Sequence, residues 1–218
     1  MALDPESRLV LAVVPGARDA EGVEEVVGAV KDRTGGRVLD LVTSDDYPAY
    51  ETALLGAYGQ EVTTTATGRP SRKLVPAKVP PPGMSYATVE KRREKGRVVE
   101  VITRAVFGTM AAVQAALARS KVSRRINVSF LERQNATDRH HNGRKVRKTY
   151  TFSKDWRVHE AMSYYTLYRY NFCWVVRTLR QRDDRGQWRH RTPAMAAGLT
   201  DHVWSTREWV SFPAAQVA

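Results

Sequence analysis

The order of apolar and polar positions in the first part of the chain predicts a strand, a helix and a second strand. Residues 8–14 form a β-branched apolar run that ends at a Pro-Gly turn. A helix is predicted next, because Asp19 can cap it and apolar side chains follow at helical spacing. Those side chains are Val23, Val26, Val27 and Val30. Residues 37–43 form the second strand, and the short links predict a right-handed crossover and a parallel pair of strands.

The rest of the chain is predicted to be mainly helical, with one long irregular stretch. Residues 47–58 and 155–179 have helical patterns, and the second is apolar on nearly all sides, so it has to be buried or paired with another chain. Residues 60–97 hold a threonine run, three consecutive prolines and a basic cluster, which indicate an irregular or inserted segment with little core. An alanine-rich helix follows, with a face made by Val106, Met110, Val113 and Leu117. Residues 125–130 lead into a further helix, and residues 143–149 are predicted to be exposed and basic.

Charge is distributed unevenly along the 218 residues. The chain has 35 Lys and Arg against 23 Asp and Glu, which gives a formal net charge of +12. Residues 1–68 hold 5 basic and 12 acidic side chains, whereas residues 69–148 hold 20 and 5. A well-solvated surface could carry such charges, but an excess of this size repels itself without a counter-charge. We therefore expect a phosphate-binding surface in the middle third.

The single cysteine, Cys173, excludes a disulfide framework and a structural zinc site built on thiolates. The first residues lack the layout of a signal peptide, and no run of about 18 apolar residues occurs. We expect a cytoplasmic protein with no membrane partner, associated with the nucleoid if its polyanion is DNA.

Carboxylates at the end of the second strand are the candidates for metal chemistry. Functional side chains cluster at the carboxyl ends of parallel strands, where Asp45 or Asp46 would lie, and Glu132 on a later helix could face them. Hard oxygen ligands select Mg²⁺ or Mn²⁺, and a pair of such ions can activate water or a hydroxyl against a phosphodiester. The same acidic pair could instead end a turn or cap a helix. His140 and His141 are expected in a basic loop, and no histidine has a partner at metal-ligand spacing.

Three segments together carry a resemblance to a known family. They are residues 44–50 (Ser-Asp-Asp-Tyr-Pro-Ala-Tyr), residues 127–135 with Arg139 following, and residues 147–154 continued by Tyr170-Asn171-Phe172 and residues 192–198. In combination these segments are similar to the DDE transposases of small bacterial insertion sequences, whose catalytic domain has the RNase H-like fold. The resemblance is strongest over residues 125–205, weaker over 1–58 and absent over 60–125.

The resemblance implies roles for individual residues. It makes Asp45 the second catalytic carboxylate and a metal ligand, because Asp46 stands where the family usually has glycine, although Asp46 could substitute. It makes Glu132 the third carboxylate, and it implies Mg²⁺ or Mn²⁺ as the cofactor. Asn135 and Arg139 share the helix face of Glu132 and could hold that glutamate or a DNA phosphate. The expected DNA contacts are Arg133, Asn135, Arg139, Arg144, Arg147, Lys148 and Lys154.

One part of the family pattern has no counterpart. In these transposases the first catalytic aspartate ends the first strand of the sheet, one hairpin before the equivalent of residues 8–14. Here residues 2–4 resemble the tail of the second strand and its turn, so Asp4 is not that ligand. We therefore expect a truncated relic, or the downstream part of a transposase whose beginning lies in another reading frame, and negligible strand cleavage by the chain alone.

The expected fold is α/β, an RNase H-like mixed sheet flanked by helices that lacks its first strand. It has a basic insertion before the glutamate helix and a helical C-terminal part. We expect the first part of the catalytic core in residues 1–58 and the insertion, with one helix, in residues 59–124. The remaining core, with its glutamate helix and aromatic helix, is expected in residues 125–180, followed by a tail in residues 181–218.

The resulting prediction is a transposase that cleaves and joins DNA phosphodiesters with two metal ions. Its partners are double-stranded DNA and transposon ends, and it acts as a homo-oligomer or with an upstream transposase polypeptide. The alternative is a non-catalytic DNA-binding protein derived from a transposase, whose basic middle grips the backbone and whose aromatic helix mediates pairing. An RNA-binding protein of ribosome-associated type fits the charge but not the acidic first third.

Overall fold

The computed structural model describes residues 1–62 and 77–213. The chain forms two compact units, one of Gly16–Val128 and one of Met1–Pro15 together with Ser129–Ala218. These boundaries do not coincide with the four predicted segments, whose division stays a prediction.

The described residues form seven helices and nine strands, of which β6 and β7 are the longest strands. In chain order they are β1 Ala2–Leu3, β2 Val10–Ala12, α1 Ala20–Arg33, β3 Leu41–Asp45, α2 Ala49–Tyr58, β4 Gln60–Val62, β5 Ala77–Val79, β6 Ser85–Glu94, β7 Arg97–Phe107, α3 Met110–Arg119, α4 Ser129–His141, α5 Trp156–Cys173, β8 Gln181–Arg182, β9 Trp188–Arg189, α6 Pro193–Ala196 and α7 Thr206–Ser211. Single 3₁₀ turns lie at Gly143–Lys145 and Arg177–Leu179.

Helix α1 has the start and the end that the sequence predicts. The Asp19 side chain accepts a hydrogen bond from the backbone N–H of Gly22 at 2.9 Å and so caps the first turn. Gly35 and Gly36 end the helix with left-handed φ values of 62° and 73°, which other residues rarely adopt. The four valines of the predicted face are all buried.

The unit of Gly16–Val128 is built on a three-stranded sheet in the order β3-β6-β7. Strands β3 and β6 are parallel, whereas β6 and β7 are antiparallel. Neighbouring residues of β6 point to opposite faces. Tyr86 packs with buried side chains of α1 and α2, and Ala87 packs with Val113 and Leu117 of α3. A mixed sheet with helices on both faces confirms the α/β prediction at this level.

The predicted parallel pairing of the first strand with the second is wrong. Strand β2 pairs antiparallel with β1, and β3 pairs with β6. The crossover rule holds for two strands of the same sheet, and the parallel partner of β3 is a strand that the sequence pattern does not reveal.

The prediction of an irregular segment over residues 60–97 is also wrong for the residues that the structure describes, because strands β4, β5 and β6 lie there. The first five residues of β6, Ser85–Val89, are all buried in the middle of the sheet. A strand buried on both faces shows no alternation, and Ser85 and Thr88 interrupt the apolar run that would otherwise mark it. Val106, predicted on a helix, lies in β7, and α3 begins only after Thr109 caps it. The threonine run at residues 63–65 lies outside the described residues.

The second unit is built around the hairpin β1–β2 and the long helix α5. Val10 and Val13 from the hairpin segment share a buried cluster with Leu167 and Tyr170 of α5. Asn171 adds a polar link, because its Nδ2 donates to the carbonyl oxygen of Val10 and its Oδ1 accepts from the Val10 N–H, each at 2.9 Å. This link joins residues that lie 161 positions apart in the sequence.

Helix α5 ends at Cys173 rather than near residue 179, because Trp174 has extended backbone angles of −107° and 118°. Part of its apolar surface is covered by later residues of the same unit. The Trp204 ring lies 4.8 Å from Phe172, and the Trp209 ring meets Tyr165 edge-on at 5.2 Å. The chain therefore covers this helix in part, whereas Trp156 and Val158 near its start stay exposed.

Among the helices that the structure describes, none is both long enough and apolar enough to cross a membrane.

Candidate functional site

Asp45 is the last residue of β3, opposite Val89 of the parallel strand β6. Its Oδ2 lies 2.5 Å from Nη2 of Arg18. The two side chains remain 47% and 70% exposed, so water screens the ion pair and its contribution to stability is small. The aspartate stands at the carboxyl end of a parallel strand, as predicted, with a guanidinium as its partner.

Asp46 is held by a different set of contacts. Its Oδ1 accepts a hydrogen bond from the Thr88 hydroxyl at 3.0 Å, and its Oδ2 lies 3.7 Å from Nη1 of Arg104. The same guanidinium reaches Glu90 at 3.2 Å. Arg104 therefore bridges two carboxylates over the sheet, and each member of the acidic pair has its own arginine.

Two tyrosines next to these carboxylates stay protonated at neutral pH. Burial is the main cause that raises the pKa of Tyr86 to about 12, and a hydrogen bond with Ser44 at 2.7 Å partly offsets it. Burial also raises the pKa of Tyr50, and the negative charge of Asp45 adds to that shift. Both phenols can therefore donate hydrogen bonds at pH 7, but neither supplies a base.

Glu132 lies in the first turn of α4, in the other compact unit. Its side chain is exposed, as are those of Arg133 and Arg139, whereas Asn135 is half-buried. The predicted helix is thus present, and it holds Glu132, Arg133, Asn135 and Arg139 of the second segment, whereas residues 127 and 128 precede it and belong to the other unit. His140 and His141, expected in a loop, instead complete the last turn of α4.

The remaining predicted DNA contacts follow α4 in the same unit. Arg147, Lys148 and Lys154 are exposed, and Arg144 is half-buried. Lys148 has a left-handed φ of 58°, so the chain turns sharply at this point. All seven predicted contact residues therefore belong to the unit that also contains Glu132.

The same unit contains a buried ion pair that the sequence analysis did not predict. Asp138 of α4 and Lys145 are 2.7 Å apart, with side chains only 6% and 19% exposed. Thr166 of α5 donates a further hydrogen bond to Asp138 at 3.2 Å. Lys145 lies in the segment predicted to be exposed, and that prediction is wrong for this residue because its charge is used inside the unit. The sequence does contain one signal for this pair, a stripe of polar residues spaced four apart at Gln134, Asp138 and Asn142. Such a stripe usually indicates a solvent-exposed helix face, so it does not predict burial.

The predicted Mg²⁺ or Mn²⁺ would need several oxygen donors placed close together. Among residues 1–62 and 77–213, no group of three or more His, Cys, Asp or Glu side chains is placed to hold a metal ion. Asp45 and Asp46 each have a guanidinium partner. The described donors therefore form no cluster that fits a metal pair, and the metal stays a prediction.

Comparisons with known proteins give no further assignment. No protein-family model, no curated protein and no solved structure matches this chain.

Proposed function

We propose that this chain is a DNA-binding polypeptide of the DDE transposase type, with an RNase H-like core. The observation that carries the proposal is the position of Asp45, which ends a strand paired in parallel with its neighbour. Along the chain, a hairpin, a helix, this strand and finally a helix with Glu132 follow one another in the order that the resemblance requires. The resemblance of the three segments supports the same assignment.

The basic residues supply the binding function. Arg133, Arg139, Arg147, Lys148 and Lys154 are exposed, and guanidinium and ammonium groups neutralise phosphates of the DNA backbone. Such contacts position a protein on DNA without reading its sequence. We therefore expect affinity for duplex DNA with little preference among sequences.

Cleavage by this chain alone is expected to be negligible. A cluster of three acidic or histidine ligands is not present among the described residues, and the carboxylates of Asp45 and Asp46 already face arginines. These ion pairs favour the second candidate function, a non-catalytic DNA-binding protein derived from a transposase. In such a protein the guanidinium groups of Arg18 and Arg104 balance the charges of Asp45 and Asp46, and no metal ion is required.

A binding and cleavage assay tests both candidates. The chain is incubated with supercoiled plasmid and Mg²⁺ or Mn²⁺, by itself and with the polypeptide that the upstream nucleotide sequence encodes. Cleavage by the mixture that disappears in Asp45→Asn and in Glu132→Gln would support the transposase assignment. Asp40→Asn is the matched control, since Asp40 is another exposed aspartate paired with an arginine, Arg119.

The other outcomes separate the candidates. DNA binding without cleavage in either preparation would support the non-catalytic protein. Cleavage by the isolated chain that needs both Asp45 and Glu132 would contradict the expected inactivity. If duplex DNA did not bind at all, both candidates would be wrong.

A further inference from the structure

The hairpin β8–β9 carries an exposed tryptophan beneath two arginines. Trp188 is 48% exposed, and it lies opposite Arg182 in the antiparallel pair. The guanidinium carbon of Arg180 lies 4.2 Å from the indole centroid, and that of Arg182 lies 5.1 Å from it. These are cation–π distances, so both charges are held against the face of the ring.

Side-chain hydrogen bonds fix the backbone of this hairpin. Asp183 organises its turn by accepting hydrogen bonds from the backbone N–H groups of Arg185 and Gln187 at 3.0 and 2.9 Å. At the base of the hairpin, the Arg191 side chain donates to the carbonyl oxygen of Leu179 at 2.8 Å, next to the buried Thr192. Trp188 is therefore presented by a fixed backbone.

Positive charge dominates the surroundings of the indole. An open recess of about 440 Å³ is lined by Arg177, Thr178, Arg180 and Trp188. Arg177, Arg180 and Arg182 form no ion pair within the described part of the chain. The nearby Asp183 has its charge engaged by the turn and by Arg189, 3.7 Å away. Two guanidinium groups thus lie against the indole ring, and a third, that of Arg177, lines the same recess.

We propose that the Trp188 hairpin, consisting of residues 177–191, is a binding site for single-stranded nucleic acid. An unpaired base stacks on the exposed indole or on a guanidinium plane, while the arginines contact the phosphates on either side. Duplex DNA offers the same phosphates but keeps its bases stacked on one another, so it gains only the charge contacts. An acidic peptide lacks an aromatic base and gains no stacking. The site uses none of the residues assigned to duplex binding, and it does not depend on transposase activity.

Fluorescence anisotropy with labelled oligodeoxythymidine tests the proposal. The probe is roughly 12 nucleotides long, within the range of single-strand site sizes, and a duplex of the same length is measured in parallel. Trp188→Ala is expected to weaken single-strand binding about tenfold and duplex binding by at most about twofold. Trp188→Phe keeps an aromatic face and should retain most of the affinity. Trp156→Ala is the matched control, because Trp156 is 55% exposed but stacks on His159.

The arginines give a second measurement that does not depend on replacing the indole. Arg180→Gln and Arg182→Gln should each weaken single-strand binding and lower the slope of log affinity against log salt by about 0.7. Arg207→Gln, which changes an exposed arginine of the same unit, should leave both quantities unchanged.

Three results would overturn the proposal. One is unchanged single-strand affinity in Trp188→Ala. Another is an equal loss for single-stranded and duplex DNA, which would leave only a charge effect. The third is competition by polyglutamate as effective as that by oligodeoxythymidine at equal charge. Because the readout is binding to single strands, a negative result leaves the plasmid assay of the proposed function unaffected.

Discussion

Asn171 gives strand β2 a donor and an acceptor at the position of Val10, as a neighbouring strand would. A primary amide has both groups on one planar end, so it can satisfy the N–H and the carbonyl of a single residue. The bond pair is buried, since Asn171 is only 3% exposed. The residue belongs to a segment of the transposase resemblance, and in this structure its contacts are with the chain itself.

Replacing Asn171 by alanine is expected to destabilise the protein by about 2–3 kcal/mol, because two buried backbone groups of Val10 lose their partners. The free energy of unfolding from urea denaturation measures the effect. Asn135→Ala, at a half-buried helix position, is the control and should cost clearly less. Equal costs for the two variants would show that the amide bonds to Val10 contribute little.

At the level of elements, α4 is fixed to its surroundings by polar contacts. The buried pair of Asp138 and Lys145 and the hydrogen bond from Thr166 of α5 are the contacts with the least access to water. Each charge depends on the other, because an ion left alone in this position loses its compensation.

Asp138→Leu and Lys145→Met are each expected to cost about 3 kcal/mol, whereas the double variant that combines the same two changes should cost much less. A double-mutant cycle from urea denaturation measures the difference. Asp155→Asn removes an exposed pair with Arg157 and should cost clearly less than either change in the buried pair, because water screens it. Additive losses in the cycle would mean that the two charges do not interact.

A second electrostatic contact holds the short helix α7. His202 has Nδ1 2.6 Å from Asp201 and Nε2 2.9 Å from Glu208, whose carboxylate also accepts from the backbone N–H of Ser205 in the capping box. Hydrogen bonds from Asp201 and then Glu208 raise the pKa of His202 above its ordinary value of 6.5. Both ring nitrogens face carboxylates, which fits the charged imidazolium.

The contribution of His202 to stability is therefore expected to depend on pH. A raised pKa means that the contribution is complete below pH 6.5 and disappears as the pH rises through the folded-state value. Urea denaturation of the native chain and of His202→Gln, between about pH 5.5 and 9, should show a gap that closes with rising pH. His190→Gln, at an exposed histidine, is the control. A gap that stays constant would contradict the assigned charge state.

The elements differ in how far the sequence specifies them. Helix α1 is predictable because its valines, its cap at Asp19 and its glycine stop are all local signals. Strand β6 is not, since its burial depends on helices far away in the sequence, and its serine and threonine look polar until those helices cover them. The candidate site shows the same division. The sequence indicates Asp45 and Glu132, but the arginine partners of Asp45 and Asp46 and the pair of Asp138 and Lys145 arise only from tertiary contacts.

On the scale of the whole molecule, the formal charge of +12 is divided among surfaces with different roles. Arg18 and Arg104 form ion pairs with carboxylates in one unit, and Lys145 forms an ion pair with Asp138 in the other. The exposed residues Arg147 and Lys148 keep their charge available for a polyanion. Net charge alone therefore overstates the number of groups that can reach a phosphate.

Charge reversal of Arg144, Arg147 and Lys148 together is expected to weaken duplex DNA binding by more than about tenfold. The slope of log affinity against log salt should fall by up to about 3, close to one unit for each phosphate that is no longer neutralised. Anisotropy titrations over a range of salt concentrations measure both. Arg37→Glu, at an exposed position of the other unit, serves as the control. A matching loss in the control would indicate a general charge effect and no local footprint.

The division of the chain into two compact units also affects the order in which its parts can fold during synthesis. Gly16–Val128 is continuous, so that unit can form as soon as its own residues have left the ribosome. Residues 1–15 are made first, yet Val10 has to wait for Asn171, 161 positions later. At about 5–20 residues per second the delay is roughly 10–30 s. During that interval the first apolar strand stays exposed, and it is the segment of the nascent chain most in need of protection from aggregation.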